Sequence, residues 1–500
     1  MRNKILVFSF SILPIISQGQ KGEVSDNDMK EYIAEQREVN NKFNSYFYSD
    51  YRKINSLPET TFVRKIDSLK QSFIAKVDQY SSKLDSAFLD AERAELNFFF
   101  DKLILDYINN YTSFTGNRLL ITEQTKNRLN RNLVDFNKPQ LLSNPQFVKY
   151  VRAYFEATVG TVLKMKFDST VDNRKLLASH YLVDSLFTNP TCNEYWKYTF
   201  LRDHIENFGI KNLEIIYKAY VTSSVDTTHA NQIVKMYEGA EVSRKDHPIA
   251  VYKKINKIDL DMHLFLPDPS FAGKRPVIIF FHGGSWTEGK PDWSFEACKD
   301  YAAKGWVACA AEYRIQGRHG TLPFASVMDA KSAIRWLRKN SDKYNLDTNK
   351  IVATGNSSGG HLVLTAALSK SVNERTDDLH INASPDFLLV NAGVYDLMDE
   401  NTAWIRKSAK SLEKIKSISP LHLIQKGFPN TLLIHGTNDR NCPYDSAKEF
   451  VTRMKKAGNN NIELVSLEGA SHFIWFDPKY SREVSQCTQE FLGRQGLLNQ

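Results

Sequence analysis

Apolar side chains recur with a helical period along the first half of the chain, from Asp26 to about Val242. The clearest stripe begins after Ser56–Glu59, which has the Ser-x-x-Glu form of a capping box with a proline early in the first turn. Spacings of three and four residues predict one core-facing helix, and its apolar positions are Phe62, Ile66, Leu69, Phe73, Val77, Tyr80, Leu84 and Phe88. Similar patterns predict helices at Phe98–Ile108, Pro145–Val162, Lys175–Leu186 and Tyr195–Ile205. We therefore expect an all-α domain over residues 20–245.

The pattern changes near Ala250, where two extended segments flank Asn256-Lys257 and predict an antiparallel hairpin. Short apolar runs then predict strands at 276–281, 306–311, 350–355, 386–392, 431–436 and 462–469. Amphipathic segments between them predict helices at Ser326–Lys343 and Ser446–Lys456. Alternation of this kind is typical of α/β proteins, whose mostly parallel sheet has helices on both faces. We expect residues 246–500 to form such a domain.

The first nineteen residues have the pattern of a signal peptide. Arg2 and Lys4 precede an apolar run that ends at Ile16, and small residues follow it. The run is shorter than the roughly 20 residues that span a bilayer, which disfavours a membrane anchor. Because the first cysteine is Cys192, lipid attachment near the cleavage point is not expected. The sequence predicts export to the periplasm or the medium, and no transmembrane segment in the mature chain.

Charge and cysteine content exclude some classes of function. The formal net charge is +8, but basic residues are spread among acidic ones without a dense cluster, so nucleic-acid binding is not predicted. The five cysteines are odd in number and contain no Cys-x-x-Cys pair, and we expect them to be buried apolar residues. Neither a metal nor an organic cofactor is predicted.

The segment Gly355-Asn356-Ser357-Ser358-Gly359 has the form Gly-x-Ser-x-Gly. A β-branched run ends directly before it, and a helical pattern begins directly after it. This context is typical of a nucleophile elbow, in which a strained turn exposes the serine hydroxyl. Glycines at both ends allow the strand and the helix to approach closely. We expect Ser357 to be a nucleophile.

Two further strand ends carry reactive side chains. Asp439 follows the predicted strand 431–436, and His472 follows the last strand. The chain order serine, acid, histidine is that of an α/β-hydrolase triad, in which the histidine takes the serine proton and the acid orients the imidazole. Asp396 is the second choice for the acid. The paired glycines after His282 predict half of an oxyanion hole, and the N–H of Ser358 is expected to form the other half.

From about Ala250 to Leu492 the chain resembles the α/β-hydrolase superfamily, and within it the carboxylesterases that include bacterial acetyl-xylan and feruloyl esterases. The matching stretches are HGGSWTEG, AEYRI, LPFASVMDAKSAIRWLRKN, GNSSGGHL, HGTNDRNCPYDSAKEF and EGASHFIW. The resemblance implies a triad of Ser357, Asp439 and His472, and the oxyanion donors Gly284, Ser285 and Ser358. Relatives often have glycine at position 285, an acid at 356 and valine at 442, where this chain has Ser285, Asn356 and Cys442.

The expected function is that of an exported serine esterase acting on a small-molecule or carbohydrate ester. Two alternatives stay open: a serine peptidase or amidase of the prolyl-oligopeptidase type, and a non-catalytic binding protein on a hydrolase scaffold. The helical half resembles helical segments attached to some exported thiol-disulfide oxidoreductases, through NPQFVKYVRAYFEA and IVKMYEGAEV. That likeness implies a scaffold or a docking site for a protein partner.

Overall fold

The structure is a computed structural model, and it describes residues 26–167, 172–255, 257–271 and 273–498. The predicted signal peptide, residues 1–19, lies outside the described residues. The chain divides into two compact units. The helical unit contains the described residues among 3–167 and 177–200, and the sheet unit contains those among 168–176 and 201–500.

The helical unit is built on eight helices, of which the last two continue into residues of the sheet unit. They are α1 (Asp26–Phe47), α2 (Tyr51–Ile54), α3 (Glu59–Gln79), α4 (Ser86–Thr115), α5 (Glu123–Arg131), α6 (Pro145–Lys166), α7 (Arg174–Leu186) and α8 (Pro190–Phe208), with 3₁₀ turns at Asn132–Asn137 and Pro139–Ser143. Its core is rich in aromatic rings, including Phe62 stacked on Tyr107 with ring centroids 4.0 Å apart. The four shorter helices expected from apolar spacing are confirmed within α4, α6, α7 and α8.

Two details of the predicted stripe are wrong. Helix α3 ends at Gln79, so Leu84 lies in the following turn and Phe88 belongs to α4. The expected capping box does not form, because α3 has no side-chain cap and Glu59 instead accepts a hydrogen bond from Thr122 at 2.8 Å. A tertiary contact thus takes the carboxylate that a local cap would have used.

The sheet unit is organised around eight strands, in the order β1-β2-β4-β3-β5-β6-β7-β8. The first two pair as the predicted antiparallel hairpin, with Ile255 opposite Ile258, and every pair from β4 onward is parallel. The strands are β1 (Ile249–Ile255), β2 (Ile258–Phe265), β3 (Arg275–Phe281), β4 (Val307–Ala311), β5 (Leu346–Asn356), β6 (Phe387–Asn391), β7 (Asn430–Gly436) and β8 (Ile462–Leu467). The predicted mostly parallel sheet of an α/β-hydrolase fold is confirmed.

Helices of the sheet unit cover both faces of this sheet, and the described residues of the unit contain eleven helices after α8. They are α9 (Glu214–Ser223), α10 (Thr227–Lys245), α11 (Phe295–Ala302), α12 (Gln316–His319), α13 (Pro323–Lys339), α14 (Ser341–Tyr344), α15 (Ser358–Leu368), α16 (Ala403–Ala409), α17 (Leu412–Lys416), α18 (Tyr444–Lys456) and α19 (Pro478–Arg494), with 3₁₀ turns at Pro291–Ser294, Glu400–Thr402 and Pro420–His422. Alternate residues of one strand enter different cores: Val277 and Ile279 pack with α13 and α15, and Ile278 packs with α11. This two-sided burial explains why the strands are continuous apolar runs.

The predicted domain boundary at residue 246 separates helix α10 from strand β1, but the sheet unit already includes residues 201–245. A buried charge network connects these residues to the sheet. Lys211 Nζ lies 2.7 Å from Glu312 Oε2, directly after β4, and 2.9 Å from Asp261 Oδ2 in β2. Arg318 pairs with the same Glu312 and, at 2.5 Å, with Asp172. Because of these pairs, residues that periodicity alone assigned to the helical half belong with the sheet.

The segment 395–428, which connects β6 to β7, is packed within the sheet unit. Its side chains Ile405, Ile415 and Ile418 are fully buried in the same core as the sheet. Within the part of the chain that the structure describes, no helix combines the length and apolarity needed to cross a bilayer.

Candidate active site

Ser357 occupies the sharp turn between β5 and α15. Its backbone has φ 55° and ψ −121°, in the region that favours glycine, and its side chain is nearly buried, with the residue 8% exposed. The N–H of Ser357 donates to the carbonyl of Asn391 at 3.0 Å, which holds the turn against the end of β6. A non-glycine residue in this conformation stores strain that the surrounding structure must stabilise. The turn has the form of a nucleophile elbow.

The two glycines of the elbow are required by space rather than by torsion angle. A Cβ atom on Gly359 would lie 2.0 Å from the carbonyl oxygen of Phe281, and one on Gly355 would lie 2.4 Å from the backbone of Gly359. Contacts this short cannot be relieved by rotating a side chain, because backbone atoms form them. The expected close approach of strand and helix is therefore present.

Asp439 and His472 meet beyond the ends of β7 and β8. His472 Nδ1 lies 2.8 Å from Asp439 Oδ2. Since a carboxylate only accepts hydrogen bonds, the proton of the imidazole is on Nδ1, and Nε2 is left as a base. Gly436 permits this approach, because a Cβ there would lie 2.4 Å from the carbonyl oxygen of Ala470 in the loop before His472.

The carboxylate of Asp439 is held by four hydrogen-bond donors. Its Oδ1 accepts the N–H groups of Asn441 at 2.8 Å and Cys442 at 2.9 Å, and its Oδ2 lies 3.2 Å from His435 Nε2. Burial by itself raises the pKa of Asp439, but hydrogen bonds from His435 and His472 outweigh it and lower the pKa to about 2. Asp439 is therefore ionised at neutral pH and can stabilise an imidazolium at His472.

His435 is a positioning residue that the sequence did not single out. Its Nε2 lies 2.8 Å from the carbonyl oxygen of Cys442 as well as near Asp439, so one ring holds both ends of the turn 439–442. In the sequence, the Gly-Thr-Asn-Asp segment directly after His435 could have indicated this positioning role. Asp396, the second choice for the acid, accepts the N–H of Met398 at 2.8 Å and belongs to a different loop.

The loop after β3 lies against the elbow. A Cβ on Gly283 would be 3.1 Å from the carbonyl oxygen of Asn356 and 3.5 Å from the Cβ of Ser357. In the described residues, the amide groups of Gly284 and Ser285 donate to no other protein group. The loop therefore lies against Ser357, and its backbone N–H groups are candidates for an oxyanion hole.

Ser285 has a positive φ of 56°, and Gly284 before it has φ 106°. Position 285 is therefore one at which glycine is the least strained residue, which explains the glycine expected there in relatives. Trp286 follows with φ 59°, and its ring packs edge-on against His361 at 4.9 Å. The burial of this ring helps to stabilise a backbone with two consecutive strained residues.

The side chains of His282 and Tyr313 pack together at the start of the same loop. The Tyr313 hydroxyl donates to the carbonyl oxygen of His282 at 2.7 Å, and the two rings stack with centroids 4.2 Å apart. Burial lowers the pKa of His282 to about 4, so its imidazole is neutral at physiological pH. The sequence pattern identified His282 only as the residue before the paired glycines, and it did not predict a role for Tyr313.

Three aromatic side chains, Phe473, Trp475 and Phe476, form a cluster next to His472, and we call them the aromatic rim. The rings of Phe473 and Trp475 lie edge-on to His472 at 5.3 and 5.5 Å. Phe476 is 76% exposed and Phe473 is 43% exposed. Apolar surface of this kind can contact a sugar ring or an aryl group.

Comparison with known proteins shows that this chain is similar in sequence to esterases. Residues 262–454 match the BD-FAE family model. The chain is 30% identical to Esterase LipC of Mycobacterium tuberculosis over 39% of this chain and 52% of LipC. It is 27% identical to Esterase LipQ of the same organism over 45% of this chain and 57% of LipQ. The isoprenylcysteine alpha-carbonyl methylesterase ICME of Arabidopsis thaliana is 25% identical over 43% of this chain and 53% of its own.

The chain thus spans about half the length of the curated relatives it matches. Among solved structures, esterase 2 of Thermogutta terrifontis phosphonylated by sarin is 32% identical, with a TM-score of 0.49 over 51% of this chain and 98% of that chain. The C-terminal half of this chain is an α/β domain whose residues 262–454 match the BD-FAE family model, and the curated relatives to which it is similar are named esterases.

Proposed function

We propose that this protein is an exported serine esterase that hydrolyses carboxylic esters through an acyl-enzyme on Ser357. The observation that carries the proposal is the 2.8 Å bond between His472 Nδ1 and the buried, ionised Asp439, in a domain whose strained elbow presents Ser357. The esterase names of the curated relatives support the same class of reaction.

In the proposed mechanism, the Ser357 hydroxyl oxygen attacks the ester carbonyl while its proton passes to His472 Nε2. The N–H groups of Gly284, Ser285 and Ser358 stabilise the negative charge that develops on the carbonyl oxygen. The imidazolium then protonates the leaving alcohol, and the acyl group remains on Ser357. A water molecule, deprotonated by His472, attacks the acyl-enzyme and releases the carboxylic acid.

The first test compares two leaving groups. We expect the purified protein to hydrolyse p-nitrophenyl acetate, and Ser357→Ala to lose on the order of 10⁴-fold or more of the rate because the nucleophile is gone. The matched control is Ser358→Ala, which keeps its backbone N–H and should retain most activity. Faster cleavage of an aminoacyl-p-nitroanilide would favour the peptidase alternative. No turnover of either compound would favour a binding protein.

For the substrate class, we propose acyl groups carried on carbohydrate. The aromatic rim supports this, because exposed rings beside His472 suit a sugar face or a feruloyl ring better than a flexible alkyl chain. A panel of acetylated and feruloylated xylan fragments, with p-nitrophenyl butyrate as reference, tests the proposal. Fragment turnover no better than that of the reference ester would contradict it.

Export is proposed from the predicted leader alone. Expression of the full chain, followed by fractionation and N-terminal sequencing of the product, tests it. We expect cleavage near Gly19 and recovery outside the cytoplasm, whereas an intact N-terminus in the cytoplasmic fraction would contradict export.

A further inference from the structure

The turn after β7 brings a thiol into the candidate active site. Asp439, Cys442 and His472 each offer one ligand atom, and the three atoms lie within 4.8 Å of one another. All three residues are buried, and Cys442 is only 4% exposed. The proposed ester hydrolysis uses the carboxylate and the imidazole but gives the thiol no task.

Local hydrogen bonds hold this cluster in place. The N–H of Cys442 donates to Asp439 Oδ1 at 2.9 Å, which folds the thiol-bearing residue back onto the carboxylate. Asp439 Oδ2 is 2.8 Å from His472 Nδ1, so the third member is fixed through the second. His435 Nε2 lies 2.8 Å from the carbonyl of Cys442 and keeps the turn from opening.

The donor set is that of a soft divalent cation. Thiolate, imidazole and carboxylate are the ligands that Zn²⁺ takes, at about 2.3, 2.0 and 2.0–2.2 Å, so ligand atoms of a tetrahedral site are roughly 3.5 Å apart. A separation within 4.8 Å can be closed by small side-chain rotations. Cys442 also lines a small pocket together with Asp396 and Asp399, whose carboxylates attract cations to this side of the turn.

We propose that Zn²⁺ or Cd²⁺ binds to Asp439, Cys442 and His472, and that this binding inhibits the enzyme by occupying the imidazole. Coordination replaces the S–H bond of Cys442 and the Nδ1–H bond of His472 by bonds to the metal. The thiol proton leaves to solvent and the imidazole proton moves to Nε2, without any change of oxidation state. Water or the Ser357 hydroxyl completes the coordination. The binding half of the proposal stands on the cluster, whereas the inhibitory half rests on the proposed esterase function.

The binding test is a titration of the metal-free full-length protein with Cd²⁺, followed by the ultraviolet charge-transfer band of a cadmium thiolate. We expect one equivalent of the band in the wild type and in Ser357→Ala, and none in Cys442→Val or Cys442→Ala. Cys487→Val is the matched control, because Cys487 is the one partly exposed cysteine of the described chain, and it should retain the band. A band that persists without Cys442, or no band in the wild type, would overturn the proposed site.

The inhibition test measures p-nitrophenyl acetate turnover against Zn²⁺ concentration, with each variant normalised to its own metal-free rate. The half-inhibitory concentration should rise at least tenfold in Cys442→Val and stay unchanged in Cys487→Val, and a chelator should restore the wild-type rate. Equal inhibition of all three proteins would contradict an inhibitory role for this site. Absence of turnover in every sample would refute the proposed function while leaving the cadmium result to decide the site.

Discussion

At the scale of single residues, the acid of the site is defined by its surroundings more than by its position in the chain. Asp439 receives two backbone N–H groups and lies near two imidazoles, His435 and His472. These interactions outweigh the effect of burial and lower its pKa to about 2. A carboxylate held in this way can orient His472 and balance the positive charge that the imidazole gains during the reaction.

We therefore predict that Asp439→Asn lowers the kcat of ester hydrolysis by about 10⁴-fold, because the amide favours the wrong imidazole tautomer. Asp396→Asn is the matched control, since Asp396 also follows a strand of the same sheet but hydrogen-bonds within its own loop. It should retain most of the activity. Steady-state kinetics of both variants decide the matter, and a silent Asp439→Asn would show that another acid is the partner.

Chain order sufficed to propose Ser357, Asp439 and His472 together, because parallel strands bring their carboxyl ends to one edge of the sheet. The bond between His472 and Asp439 agrees with that proposal, and the catalytic roles of all three residues stay a prediction. His435, Tyr313 and Cys442 could not be predicted in the same way. Their contacts depend on how the turn 439–442 and the loop after β3 fold, which no periodic pattern encodes.

At the scale of elements, the nucleophile elbow depends on a strand and a helix that nearly touch. Gly359 is the tightest point, since a Cβ there would be 2.0 Å from a backbone oxygen of β3. The elbow, the loop after β3 and the start of α15 are therefore packed tightly against one another. We expect displacement of any one of them to move the other two.

Gly359→Ala should consequently lower the melting temperature strongly, with a loss of more than about 4 kcal/mol in the free energy of unfolding. Gly239→Ala is the matched control, because Gly239 lies in helix α10 of the same unit and has no atom within 4 Å of an added Cβ. It should stabilise the protein slightly, by about 0.5–1 kcal/mol. Thermal melts followed by circular dichroism provide the measurement, and an unchanged melting temperature for Gly359→Ala would contradict the packing described.

Strands were the easiest elements to predict, because two-sided burial makes each of them a short apolar run. Helix ends were harder. The Ser56–Glu59 motif has the sequence of a capping box, yet Glu59 bonds to Thr122, 63 residues away. Local sequence cannot show that a distant hydroxyl will compete for the same carboxylate.

At the scale of the whole molecule, the sheet unit includes residues 201–245 that helical periodicity assigned to the other domain. These residues belong to the sheet unit because the buried carboxylate of Glu312 lies between Lys211 and Arg318. Removing one partner of a buried ion pair leaves an uncompensated charge. A chain shortened to start near Val242 would lack Lys211 and Asp172.

The substitution Lys211→Met in the full chain tests how much this buried ion pair contributes to stability. We predict a loss of about 3–5 kcal/mol in the free energy of unfolding, because Glu312 and Asp261 then share a buried site with one cation fewer. Lys218→Met is the matched control: Lys218 pairs with Glu214 on the exposed surface of α9, and no measurable loss is expected. Urea unfolding of both variants checks the prediction, which fails if the two midpoints agree.

The central claim, that Ser357 is a nucleophile activated by His472 and Asp439, is tested most directly by covalent labelling. The full-length protein is treated with a fluorophosphonate, which loses fluoride as the serine oxygen bonds to phosphorus, and the modified peptide is identified by mass spectrometry. The account predicts one phosphonyl group per chain, located on Ser357, formed in step with loss of ester hydrolysis, and formed at least 10²-fold more slowly in His472→Ala. Labelling of any other residue, or esterase activity that survives complete modification of Ser357, would contradict it.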